Sequence, residues 1–145
     1  MVRSLRSQAR NGRLLPFVIT YDDRLVGQVT VGGITWGSLC SAHIGYWIDS
    51  RVAGRGVMPT AVAMVTDHAF TTMGLHRIEV NIRPENTASL RVVEKLGFRD
   101  EGTRAALLHI DRAWRDHRVF ALTAEEVPEG LLARWRATSG SAGPP

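Results

Sequence analysis

Two glycines, Gly54 and Gly56, lie in a short segment between a strand-like run and a long apolar run that reads as a helix. Glycine adopts positive φ angles at little cost, so successive N–H groups in such a turn can point the same way and bind an anion. Pro59 follows where we expect the helix to begin, because the first helical position needs no N–H donor. The helix dipole would place partial positive charge behind the turn. Alone, this segment is compatible with a phosphate-binding turn or with a plain strand-to-helix connection.

The remaining pattern of apolar residues predicts one domain, from residue 1 to residue 136, built on a single mixed sheet. Runs of alternating or β-branched residues read as strands, and runs that end at Gly74 or Gly97 read as helices. The predicted strands cover 15–21, 25–34, 42–48, 77–82, 98–101, 104–110 and 114–123, and the predicted helices cover 1–11, 59–73, 87–96 and part of 125–136. This order gives an α/β (α+β) fold with helices on a mixed sheet. Residues 137–145 are small, polar and rich in proline and glycine, so we expect a disordered tail.

Composition narrows the class of partner. The chain has 145 residues, a net charge of +4 and a sequence pI near 10.2. Seventeen of its eighteen basic residues are arginines, scattered among different predicted elements. A nucleic-acid-binding domain concentrates such charge on one face, so we expect an anionic ligand or weak attraction to ribosomes instead. With one cysteine, Cys40, scattered histidines and no apolar run of membrane-spanning length, we predict a cytoplasmic protein with no metal site.

A second motif begins at Arg83 and reads Arg-Pro-Glu-Asn-Thr-Ala-Ser-Leu-Arg-Val-Val-Glu-Lys-Leu-Gly-Phe, through Phe98. With the glycine turn, this motif resembles the GNAT superfamily of acetyl-CoA-dependent N-acetyltransferases, and the resemblance runs from about residue 17 to residue 123. It implies a mostly antiparallel GNAT sheet with a central splay between strands 42–48 and 77–82, where acetyl-CoA lies. The segments that resemble the branch acetylating N-termini of ribosomal proteins, at alanine or serine, are 44–48, 54–61, 75–80 and 114–117.

The resemblance places the pyrophosphate of acetyl-CoA on the glycine turn. In the family this loop reads Gln/Arg-x-x-Gly-x-Gly/Ala, and two registers fit, one starting at Arg51 and one at Ala53. We prefer the second register because the helix is expected to begin near Pro59, although Ala53 then replaces Gln/Arg and Met58 replaces Gly/Ala. These two departures remove a side-chain contact with the cofactor, but they leave the backbone amides that bind its pyrophosphate. The implied cofactor-binding residues are Trp47, Ile48 and Asp49 for the pantetheine arm, Ala53, Gly54, Arg55, Gly56, Val57 and Met58 for the pyrophosphate, and Asn86 and Ser89 on the second helix.

The resemblance also implies direct attack of a neutral amine on the thioester, which needs a base, a donor that polarises the carbonyl and an acid. Many relatives carry the acid as a tyrosine seven residues after the asparagine, a position that holds Val93 here. Ser89 is the remaining hydroxyl on that helix face, either as the acid or as a CoA contact. Some N-terminal acetylases carry a base five residues before the asparagine, where this chain has Asn81. Glu79, on the same predicted strand face, either acts through water or pairs with an arginine.

We therefore predict an N-acetyltransferase whose acceptor is a protein N-terminus, such as that of a ribosomal protein, or a small amine. A catalytically degenerate acyl-CoA-binding module is the alternative, which Asn81 and Val93 allow. Members of this branch carry further elements before the first hairpin, so the chain is expected to lack an N-terminal portion. That lack would expose apolar surface and an open sheet edge, which makes a homodimer one expected consequence.

Overall fold

A computed structural model describes residues 2–4 and 14–141, with side chains for 14–139, and within them a seven-stranded sheet carries three α-helices. The strands are β1 (Val2–Ser4), β2 (Leu14–Tyr21), β3 (Arg24–Thr35), β4 (Ser41–Ile48), β5 (Arg77–Ile82), β6 (Arg99–Ile110) and β7 (Ala113–Thr123), and the helices are α1 (Val57–Thr71), α2 (Thr87–Leu96) and α3 (Leu131–Ser141). The strand order is β1-β2-β3-β4-β5-β7-β6, and only β4 and β5 pair in parallel. This confirms the predicted class, a mixed, mostly antiparallel sheet flanked by helices.

The sheet opens between β4 and β5, which confirms the predicted splay. These strands pair only from Ser41 to His43 on β4 and from Arg77 to Glu79 on β5. From Ile44 to Ile48, β4 pairs with β3 alone, so its edge toward β5 carries free backbone groups. A parallel pair needs a crossover connection, and α1 supplies it. The crossover thereby places the start of α1 beside the gap.

The core lies between the sheet and the helices. Strand β5 alternates strictly, with Ile78, Val80 and Ile82 buried and the residues between them on the other face. Helix α1 is buried on most of its sides because it contacts β3 and β5 and also α3. Helix α2 has one apolar face toward the core, while Arg91 and Lys95 lie on its exposed face.

Two polar contacts fix α3 to α1. The two carboxylate oxygens of Asp67 accept hydrogen bonds from the backbone N–H groups of Leu131 and Leu132, at 2.7 and 3.0 Å, and so cap α3. The indole N–H of Trp135 donates a hydrogen bond of 3.0 Å to the hydroxyl of Thr60 in the first turn of α1. The last helix therefore supports the beginning of the helix that follows the glycine turn.

Two boundaries in the first half of the chain differ from the prediction. Val2–Ser4 pair with β2 as a strand, so the helix predicted over 1–11 is wrong there, and its other residues lie outside the described residues. Helix α1 begins at Val57, and Pro59 is its third residue. Proline is tolerated at that position because the N–H groups of the first turn have no partner within the helix.

Three boundaries in the second half also differ. Strand β6 is continuous from 99 to 110, with irregular register, where two strands were expected. The last helix begins only at Leu131, after a separate 3₁₀ turn at Ala124–Glu126. It extends to Ser141, so residues 137–141 are helical rather than a disordered tail, and residues 142–145 lie outside the described residues.

Several large apolar side chains are exposed, among them Trp36, Trp47 and Trp114, at 54, 55 and 65%. Exposed apolar surface of this kind is common where a protein contacts a partner, and the homodimer stays a prediction. None of the described helices has the length and apolar character to cross a lipid bilayer.

Candidate functional site

On the helix side of the splay, the end of β4, the glycine turn and α2 enclose a cleft of about 700 Å³. Eight of the eleven residues that the resemblance assigns to acetyl-CoA line it, namely Trp47, Ile48, Ala53, Gly54, Gly56, Met58, Asn86 and Ser89. Asp49, Arg55 and Val57 do not line it. The residues assigned from sequence thus lie on the turn and at the start of the opposite wall, and the other α2 residues on that wall were not among them.

The glycine turn has the backbone that an anion site requires. Gly54 and Gly56 have φ angles of 81° and 76°, in the left-handed region that favours glycine. Gly56 is the N-cap of α1, whose first hydrogen bond runs from the N–H of Thr60 to the carbonyl of Gly56 at 3.2 Å. Within the described chain, the N–H groups from Gly54 to Met58 have no acceptor. They are free to bind an anion at the positive end of the helix.

Arg51 is bound to Asp49 and does not line the cleft. Its guanidinium donates to both carboxylate oxygens of Asp49 at 2.5 to 3.1 Å, and its side chain is 81% exposed. These hydrogen bonds lower the pKa of Asp49 to about 2. The backbone N–H of Asp49 in turn donates to the carbonyl of Val26 at 2.6 Å, and its carbonyl accepts from the N–H of Val52 at 3.1 Å, so both backbone groups and the carboxylate of Asp49 are engaged. The geometry favours the register that starts at Ala53.

Asn86 starts α2 as predicted, and a tyrosine ties this helix to β4. The side-chain oxygen of Asn86 accepts a hydrogen bond of 3.1 Å from the backbone N–H of Ser89 and so caps the helix. The hydroxyl of Tyr46 donates to the carbonyl of Ser89 at 2.9 Å across the splay, and burial raises the pKa of Tyr46, which keeps it a donor. The hydroxyl of Ser89 has no partner in the described chain and lies on the cleft wall.

Two cations on α2 face the cleft, and the sequence reading missed both. Arg91 and Lys95 line the cleft four residues apart, on one helix face. In the described chain neither forms an ion pair, and Arg55 at the rim of the turn is also unpaired. The cleft therefore presents free amides on one wall and uncompensated positive charge on the other, which suits a ligand with several phosphates.

A second cavity, of about 340 Å³, opens on the opposite face of the sheet at the same splay. His43, Gly45 and Asn81 line it beside Arg104, together with apolar side chains from β2 and β6. Residues 44 and 45 border this cavity and residues 46–48 border the first, so the two cavities meet across β4. Among the described residues, no three histidine, cysteine, aspartate or glutamate side chains come together as a metal site.

Glu79 lines neither cavity. Its carboxylate lies 3.0 Å from Arg104 and 3.6 Å from Arg77, and its side chain is 16% exposed. The structure thus places Glu79 in the ion-paired arrangement that the sequence left open as an alternative. A role for Glu79 as the base stays a prediction that this geometry does not favour.

The site combines a splayed sheet, a turn with free backbone amides and a helix capped by an asparagine. These features define a class of protein, and comparison with known proteins identifies it. A family model described as an acetyltransferase (GNAT) domain matches residues 2–99, so the chain belongs to the GNAT acetyltransferase family. It is similar to RimJ of Mycobacterium smegmatis, solved in complex with CoA-disulfide, at 50% identity and a TM-score of 0.86, over 94% of this chain and 65% of that one.

Two curated relatives extend the comparison. The probable N-acetyltransferase YjcK of Bacillus subtilis is 45% identical over 70% of this chain. The ribosomal protein uS5-alanine N-acetyltransferase of Escherichia coli is 31% identical over 75% of this chain. In both cases the chain spans 56% of the relative's length. These relatives support the predicted branch.

Proposed function

We propose that this chain carries an acetyl-CoA-dependent N-acetyltransferase, which moves the acetyl group directly to a primary amine. The observation that carries this proposal is the cleft in which free amides of the glycine turn face the cations of α2 beside the open sheet. Its volume of about 700 Å³ lies in the range usual for small-molecule and cofactor pockets. Membership of the GNAT family and similarity to a CoA-bound RimJ support the same assignment.

The cleft accommodates acetyl-CoA in one direction. The pyrophosphate of acetyl-CoA binds the N–H groups from Gly54 to Met58, where backbone donors and the dipole of α1 act together. Its pantetheine arm pairs with the free edge of β4 at Trp47 and Ile48, like an added strand. The thioester then lies at the splay, where both cavities meet.

The reaction is a direct acyl transfer at the splay. A backbone N–H on the free edge of β4 polarises the thioester carbonyl, as an oxyanion-hole donor does. The hydroxyl of Ser89, unpaired and on the cleft wall, protonates the departing thiolate. An ordinary thiol has a pKa of about 8.5, so the thiolate is a fair leaving group. Transfer can therefore continue, more slowly, when Ser89 is replaced by a residue without a hydroxyl.

The acceptor we propose is the α-amine of a protein N-terminus, with a ribosomal protein as the partner. The E. coli relative acts on alanine of ribosomal protein uS5, as its name states, which supports this acceptor class. The second cavity has Leu107, Leu108 and Leu14 on its walls and one cation, Arg104, with no carboxylate. That lining suits a peptide terminus with a small side chain better than a polycation, which needs acidic partners. A small amine remains the alternative acceptor.

A transfer assay with matched acceptors tests this function. The chain is incubated with acetyl-CoA and either alanine- or serine-initiated peptides, the same peptides with blocked N-termini, or small amines. Thiol release is followed, and products are identified by mass spectrometry. Acetylation of free but not blocked N-termini supports the proposal, and acetylation of small amines alone supports the alternative. Binding of acetyl-CoA without transfer to any acceptor would indicate a degenerate binding module.

We place this activity in the cytoplasm. Cys40 is the chain's one cysteine and carries a free thiol, which fits a reducing compartment. A homodimer and the absence of a nucleic-acid partner remain predictions of the same proposal, and light scattering tests the first.

A further inference from the structure

His43 lies on β4 where the sheet opens, and its side chain lines the second cavity. The ring packs over two glycines of β3. A Cβ atom at Gly33 would lie 3.2 Å from Cε1 of His43, and one at Gly32 would lie 3.3 Å from Nε2. Glycine at both positions leaves the space that the imidazole occupies, so the ring has a defined place on the cavity wall.

The imidazole of His43 is uncommitted. Neither of its ring nitrogens has a hydrogen-bond partner among the described residues. The other ionisable group on this wall is the guanidinium of Arg104, which carries only donors and cannot accept a proton. The remaining histidines are all engaged, His68 against Phe17, His76 with Glu125, His109 against Trp114, and His117 with the carbonyl of Arg115.

The charges around His43 leave it able to accept a proton. Burial lowers its pKa, and the negative charge of Glu79, its partner in the β4–β5 register, acts in the opposite direction. Glu79 is itself held by Arg77 on β5 and Arg104 on β6, while the packed residues of β3, Gly32 and Gly33, carry no charge. A histidine whose pKa lies below 6.5 is neutral at pH 7.

We propose that His43 is the general base that takes the proton from the acceptor's ammonium group, an inference that rests on the proposed N-acetyltransferase function. Asn81 lines the same cavity, and its amide side chain cannot accept a proton. His43 is therefore the side chain on this cavity wall that can take up a proton.

The step balances as follows. The acceptor R–NH₃⁺ gives one proton to His43, and the freed lone pair forms a C–N bond with the thioester carbonyl carbon. Collapse of the tetrahedral intermediate breaks the C–S bond and releases the thiolate. The hydroxyl of Ser89 gives its proton to the thiolate and regains one from the second proton that the nitrogen loses, and the imidazolium of His43 returns its proton to water. The sum is amide, free thiol and one proton.

The test compares His43→Gln with His109→Gln, a matched change at a histidine that lines neither cavity. Turnover at saturating acceptor is measured across the acid range, alongside calorimetric binding of acetyl-CoA. We expect His43→Gln to lower kcat by about 100-fold, a common size for general-base catalysis. The wild type should lose turnover as pH falls through a midpoint below 6.5, the ordinary histidine value. That midpoint should disappear in His43→Gln, with acetyl-CoA affinity unchanged and His109→Gln like the wild type.

Two results overturn this role. If the wild type transfers acetyl groups and His43→Gln keeps the same kcat and the same acid limb, His43 is not the base, and the proposed function stands. If the wild type binds acetyl-CoA and acetylates no amine of the panel, the proposed function fails and the role of His43 fails with it.

Discussion

Replacing Gly54 by alanine tests whether the backbone conformation of the glycine turn carries phosphate binding. Gly54 has a φ angle of 81°, and a Cβ atom built there meets nothing within 4 Å. The substitution therefore introduces no clash. It introduces only the cost of holding an L-residue in the left-handed region, roughly 1–2 kcal/mol.

That cost has a defined consequence for binding. The turn is exposed and Gly54 has open space around it, so the segment can relax locally to a negative φ. Relaxation would rotate the amides on either side away from their common direction. A penalty of 1–2 kcal/mol reduces the population of the binding conformation by about 5- to 30-fold, and the Kd for acetyl-CoA should rise by the same factor.

Gly74→Ala is the matched control. Gly74 has a φ angle of 78°, also has nothing within 4 Å of a built Cβ, and lies after the other end of α1. Calorimetry with acetyl-CoA and thermal unfolding are measured for both variants. We expect Gly74→Ala to lose stability and keep its affinity. The reasoning is refuted if Gly54→Ala binds acetyl-CoA as tightly as the wild type while both variants lose stability equally.

Two further predictions concern charge. Arg91→Ala and Lys95→Ala should each weaken acetyl-CoA binding about two- to fivefold at low salt, as expected for exposed ion pairs, and the effect should shrink at high salt; an equal loss in calorimetry at both salt concentrations would contradict this. Hydrogen bonds from Arg77 and Arg99 hold the pKa of Glu101 at about 2, below its ordinary 4.5, so this stabilisation is complete above pH 4.5 and is lost as pH falls toward 2. Glu101→Gln should therefore be less stable than the wild type near neutral pH. Its stability, followed by circular dichroism, should also fall less than that of the wild type between pH 4.5 and pH 2. An equal fall in the two proteins would count against the ion pairs.

The parts of the site that were predictable from sequence have local requirements. Gly54 and Gly56 are needed because the turn takes positive φ at both positions. Asn86 caps α2 with its own side chain. The order of strands and helices along the chain followed from alternation and from glycine stops, because these patterns reflect the neighbours of each residue along the chain.

The parts that were missed depend on contacts between distant segments. Arg91 and Lys95 matter because α2 lies across the cleft from the glycine turn, and this placement is not encoded within α2. Asp67 of α1 caps α3, so no nearby residue marks the true start of that helix. The sequence left two roles open for Glu79, and its ion pair with Arg104 joins β5 to β6, strands that lie far apart in the chain. The strand Val2–Ser4 is defined by its pairing with β2 rather than by its own pattern.

Calorimetric titration with acetyl-CoA, on the wild type and on Gly56→Glu, tests the central claim that the glycine turn binds the pyrophosphate. A glutamate at the N-cap of α1 would place bulk and negative charge where the phosphates lie, and Gly56→Gln adds the bulk without the charge. We predict one-to-one, submillimolar binding by the wild type, weaker binding by Gly56→Gln and none by Gly56→Glu, with the fold retained. A wild type that does not bind at submillimolar concentration, or a Gly56→Glu variant of unchanged affinity, would contradict the account.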